Sequence, residues 1–145
     1  MTAVTTSQAY GDMICELLDR GEMVSFTARG ASMWPFIMDG DQVSVSPLTQ
    51  SLSLGDVVFV PNAEFGQLHR VIDGPVDGRY RLRGDALPQD DGWVPSDRIR
   101  GRLVKRRRDG VERAMFGGRE SIVLAGFLGD MRRVISRFRT AFLGK

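Results

Sequence analysis

From Val24 to Met115 the apolar residues keep returning on alternate positions, in short runs that end in glycine, proline or aspartate. A period of two places successive side chains on opposite faces of an extended chain, so this pattern predicts strands closed off by turns. Val24, Phe26 and Ala28 alternate with Ser25 and Thr27, and Val43 and Val45 alternate with Gln42, Ser44 and Ser46. Val57 to Val60 is apolar throughout, as a central strand covered on both faces would be. Leu68–Ile72 and Arg79–Arg83 follow, joined by the turn-rich stretch Asp73–Gly78. Arg100–Arg107 reads as a long strand, and Asp109-Gly110 is a hairpin signal leading into Val111–Met115. About seven short strands with turns between them predict a mainly β domain, built as a coiled antiparallel partial barrel.

Two segments break this period. Tyr10, Met13, Ile14, Leu17 and Leu18 recur at helical spacing within residues 7–20, with Ser7 as the expected N-cap and Gly21 as the stop. Beyond a Gly117-Gly118 hinge, Leu124, Phe127, Leu128, Met131, Val134, Ile135, Phe138 and Phe142 define an apolar stripe over an expected helix from Glu120 to Leu143. The expected organisation is an N-terminal helix (1–21), a β-rich domain (22–116) and a basic amphipathic C-terminal helix (117–145). Arg132, Arg133, Arg137 and Arg139 interleave with the stripe, so its expected contacts are an anionic membrane surface, the chain's own sheet or a partner chain.

With 145 residues, the chain suits one domain. Cys15 is its one cysteine and His69 its one histidine, which excludes an internal disulfide and a Cys/His zinc site within one chain. Nothing calls for a metal or another cofactor. Charge is uneven: residues 1–97 carry net −8 and residues 98–145 net +10. The first 20 residues lack the basic start and continuous apolar core of a secretory signal. The longest apolar stretch, Ser121–Gly129, is short of the ~18–20 residues that span a bilayer. A cytoplasmic protein, able to touch a membrane from that side, is the expectation.

Reactive groups are few. Arg29-Gly30-Ala31-Ser32-Met33-Trp34-Pro35 follows a strand and can present the Ser32 hydroxyl beside free backbone N–H groups, or it can be an ordinary turn. A serine needs a base. The two lysines, Lys105 and Lys145, lie far along in the basic end, so a Ser–Lys dyad is disfavoured and His69 is the conventional choice. A neutral imidazole, with an ordinary pKa of ~6.5, accepts a proton near pH 7. The loop Arg83–Trp93 holds Asp85, Asp90 and Asp91, one of which can orient the ring.

Taken in order, these blocks resemble type I signal peptidases of the archaeal and endoplasmic-reticulum type, which are related in fold to LexA-like peptidases. Gly30-Ala31-Ser32-Met33-Trp34-Pro35, with Asp39-Gly40-Asp41 after it, is similar to the family's nucleophile block. Leu54-Gly55-Asp56-Val57-Val58, His69-Arg70-Val71-Ile72, Arg83-Gly84-Asp85 with Asp90-Asp91, and Ile99-x-Gly101-Arg102 follow in the family's order, over residues 24–104. The resemblance implies a serine endopeptidase with Ser32 as nucleophile, His69 as general base, Asp91 as the triad carboxylate and Asp85 as a supporting acid. The Ser32 backbone N–H would serve the oxyanion, since Gly30 stands where the family often has an assisting hydroxyl. Met33, Trp34, Phe36 and Ile37 are candidate subsite residues, or equally residues of the hydrophobic core. The helix before the nucleophile is too short for the membrane helix usual in the family, which directs the expectation toward a peptide or protein substrate such as a leader peptide. Two other readings stand beside it. One is a catalytically silent peptide-binding module of the same fold. The other is a nucleic-acid binder using Arg98, Arg100, Arg102, Lys105, Arg106, Arg107 and Arg108, which has few aromatics for base stacking.

Overall fold

A computed structural model describes residues 6–115, 117–118, 122–128, 130–131, 134–135 and 137. Helix α1 (Thr6–Asp19) is followed by eight strands: β1 (Val24–Thr27), β2 (Gln42–Ser46), β3 (Val57–Val60), β4 (Gln67–Val76), β5 (Arg79–Arg83), β6 (Trp93–Pro95), β7 (Gly101–Arg108) and β8 (Val111–Ala114). All pairings are antiparallel, in the order β1-β2-β7-β3-β4-β5-β6, with β8 added to β7. The protein is mainly β, as the alternation predicts. The sheet coils without closing, since β1 and β6 end its path.

The core explains the dense apolar run. Val57 and Phe59 of β3 join one buried cluster with Ile14 and Leu18 of α1, Phe26, Val43, Val45 and Leu103. Val58 and Val60 point into a second, with Val71, Tyr80, Leu82, Val94 and Ile99. Both faces of β3 are covered, so all four of its residues are buried. Helix α1 is therefore part of the main core. It ends as expected at Gly21, whose φ of 83° suits glycine, while Gly21 and Glu22 N–H groups bond back to Leu18 and Leu17 carbonyls. It begins at Thr6, so Ser7 lies inside the first turn and is not its N-cap.

The expected Asp73–Gly78 turn is instead mostly strand. β4 runs on to Val76, and its register against β5 shifts twice, between Val71 and Asp73 and between Asp73 and Val76. Bulges absorb Gly74 and Pro75, a residue with no N–H to offer a ladder. The turn itself shrinks to Asp77 (φ 50°) and Gly78 (φ 69°), a two-residue hairpin matching the one at Asp109-Gly110. β6 begins at Trp93, the last residue of the stretch read as an acidic loop, and pairs its Val94 with Tyr80. Of the expected C-terminal helix, residues 122–128, 130–131, 134–135 and 137 are helical, and the rest, including Phe138, Arg139 and Phe142, falls outside the described residues.

Candidate active site

Two adjacent positions in β4 set the site. Neighbouring side chains leave a strand in opposite directions. His69 and Arg70 do so, and both are buried. His69 Nδ1 lies 2.5 Å from Asp91 Oδ2, and Gln67 Nε2 donates to the same oxygen at 3.4 Å. The Asp91 N–H is tied to the Leu82 carbonyl at 2.8 Å, which fixes the carboxylate's position relative to β5. The other ring nitrogen borders the Ser32 turn. A Cβ placed on Gly84 would stand 3.0 Å from His69 Nε2 and 2.8 Å from the Ser32 carbonyl oxygen, so both flank one point that only a glycine leaves open.

The Ser32 turn is held from several sides. Its carbonyl accepts from Ala86 N–H at 2.9 Å. Gly30 N–H donates to Asp39 Oδ1 at 2.8 Å, and the Ala28 and Gly40 backbones close the base of the excursion against Asp41 and Ala28. Met33 is buried and its sulfur receives Asp85 N–H at 3.4 Å. Among the described residues no hydrogen bond joins Ser32 Oγ to the ring, and the Ser32 N–H donates to no carbonyl. Catalytic pairs commonly tighten only with substrate bound.

The sequence-predicted residues thus divide. His69 and Asp91 pair, and the Ser32 backbone lies beside the ring's other nitrogen across Gly84. Asp85 faces away from the ring: its two oxygens take Arg70 Nε and Nη2 at 2.8 and 2.7 Å, while Arg70 Nη1 donates to the Gly55 carbonyl at 2.8 Å. Both partners of this ion pair are almost wholly buried. Its guanidinium carbon sits 5.0 Å from the centre of the Phe36 ring. Arg70 therefore ties the segments around Gly55 and Asp85 to β4 in one buried knot. Sequence reading passed over it because an arginine in a strand looks like a solvated residue.

A cleft of about 550 Å³ opens beside Ser32, between the Phe26–Gly30 edge and the β3–β4 connection. Met33 and Ile37 line it, but Trp34 and Phe36 do not. Its apolar wall includes Phe26, Phe59 and Phe65, whose rings meet at centroid distances of 5.4 to 5.9 Å. Tyr10 of α1 stacks on Phe65 at 5.4 Å. Gly11 permits this approach, because a Cβ there would strike the Phe65 carbonyl oxygen at 2.3 Å. Tyr10 and Phe65 carry no sequence signal beyond helical spacing.

Much of the expected basic stripe has internal partners. Arg100 bonds Asp19 at 2.6 Å, Arg102 lies 3.6 Å from Asp56, Lys105 lies 3.2 Å from Glu112 and Arg106 donates to the Phe36 carbonyl at 3.0 Å. Arg108 grips Asp41 through two bonds of 2.8 and 2.7 Å. Burial pushes the Asp41 carboxyl up, but Arg108, the Met38 N–H and Arg106 together outweigh it and hold the group below its ordinary value. Among the described residues, no helix is long and apolar enough to cross a membrane. The sequence matches no protein-family model and no curated protein.

Proposed function

We propose that this chain is a serine endopeptidase of the signal peptidase-like superfamily, working through Ser32, His69 and Asp91. The observation that carries the reading is the pairing of the chain's one imidazole with Asp91 on one ring nitrogen, while the other borders the Ser32 turn. Asp91 fixes the tautomer with a proton on Nδ1, leaving Nε2 as the acceptor. Nε2 takes the Ser32 proton as Oγ attacks the scissile carbonyl. The Ser32 N–H, without a partner among the described residues, stabilises the oxyanion. The imidazolium, held by Asp91, returns its proton to the leaving amine. Water, deprotonated by the same nitrogen, then releases the acyl group.

The substrate is an extended peptide. Among the described residues β1 has a strand partner only on its β2 side, and its outer side borders the cleft. A peptide can pair there as an added strand and place a large apolar side chain against Phe26, Phe65, Met33 and Leu68. A degenerate synthetic peptide mixture, read by mass spectrometry, tests this. Cuts with a large aliphatic or aromatic residue close to the scissile bond are expected, and they disappear in Ser32→Ala. No cutting by the wild type, or the same cuts in Ser32→Ala, would overturn it.

A further inference from the structure

The C-terminal helical segment carries apolar side chains on its exposed side as well as on its inner side. A surface helix ordinarily buries its large apolar stripe against the domain. The inner side carries Ala125, 1% exposed, with Ile122, Gly126 and Leu128 half-buried, and a Cβ on Gly126 would stand 3.4 Å from Arg83 Nη2 of β5. Six further bulky side chains face out. Val123 is 73% exposed, Phe127 62% and Ile135 57%, with Leu124, Met131 and Val134 about half exposed. These positions recur at three- and four-residue spacing, so they form one continuous stripe over several helical turns.

Charge identifies what covers the stripe. Residues 98–145 carry net +10, and Arg132, Arg133, Arg137 and Arg139 interleave with the apolar positions in sequence. Arg137 is exposed. Asp19, Asp41 and Asp56 of the body are already engaged with Arg100, Arg108 and Arg102. A second copy of the chain would bring like charges together on this face. A bilayer with anionic headgroups brings opposite ones, and it accepts aliphatic and aromatic side chains at the acyl boundary while arginines reach the phosphates.

We propose that this segment is an interfacial anchor, docked on the domain through Ala125 and Gly126 and laid by its outer stripe on an anionic phospholipid surface. The claim does not depend on hydrolysis at Ser32. The full chain is sedimented with vesicles of equal parts phosphatidylcholine and phosphatidylglycerol, and with vesicles of phosphatidylcholine alone. Binding is expected to the first and not the second, weakening as salt is raised. The double variant Val123→Ser, Phe127→Ser removes two exposed side chains. At an unchanged urea midpoint it is expected to lower partitioning by about tenfold or more. Three results would overturn the proposal: no sedimentation with anionic vesicles, equal sedimentation of wild type and double variant, or a dimer on size exclusion that the double variant splits to monomers, which would assign the stripe to a second copy.

Discussion

At Asp91 the useful property is geometry as much as charge. An asparagine there keeps the size and can still face His69 Nδ1, but its amide can donate where the carboxylate only accepts, which favours the wrong ring tautomer. Asp91→Asn is therefore expected to slow turnover of a cleaved peptide by about 10²–10⁴-fold, with little change in urea midpoint because the side chain is at the surface of the site. Asp85 predicts the opposite pattern. Asp85→Ala leaves the Arg70 guanidinium buried and uncompensated, and a loss of about 3–5 kcal/mol in unfolding free energy is expected from denaturant titration. A small loss would show that water reaches Arg70 readily. Residue by residue, the candidate trio was legible through scarcity: one histidine and few lysines left little choice of base. Arg70 was not, because a sequence does not say which charged side chain of a strand turns inward, and its partner lies 15 residues away.

The elements that bring these groups together meet at Gly84. It closes β5 onto the Ser32 turn, and the space where a Cβ would go is bounded by the Ser32 carbonyl at 2.8 Å, Leu87 Cδ1 at 2.9 Å and His69 Nε2 at 3.0 Å. The leucine can rotate away, but the backbone oxygen cannot. Gly84→Ala is expected to push the Ser32 turn away from the imidazole, losing hydrolysis by a larger factor than its modest shift in thermal midpoint would explain. Equal loss of both would make Gly84 a packing residue only. Strand existence was well marked by alternation, whereas strand ends were not. β4 continues past Asp73 because bulges tolerate Gly74 and Pro75, and β6 is only three residues long, too short to show a period. The cleft could not be read at all, since it depends on α1 resting Tyr10 on Phe65 across 55 positions of sequence.

Across the whole molecule the charge imbalance is partly internal bracing. Asp56–Arg102 and Asp41–Arg108 join the acidic body to β7, and Asp19–Arg100 joins it to the residue just before that strand. Asp41 makes this visible in pH dependence. Its carboxyl is held below its ordinary value in the fold, so the unfolded chain binds the proton more readily. Its contribution is complete above the ordinary carboxylate range and is lost as pH falls through the folded value. The wild type is expected to exceed Asp41→Asn in urea midpoint at pH 7, with the gap narrowing below about pH 4. A gap that holds constant into acid would mean that the pair does not depend on ionisation.

The account stands on Ser32 being an activated nucleophile, and a fluorophosphonate reagent reports that without knowledge of the substrate. Peptide mapping after treatment is predicted to find one adduct, on Ser32 Oγ, formed at a rate that collapses in His69→Ala under conditions where that variant is still folded. No adduct on Ser32, or one that forms equally fast without the imidazole, would contradict it.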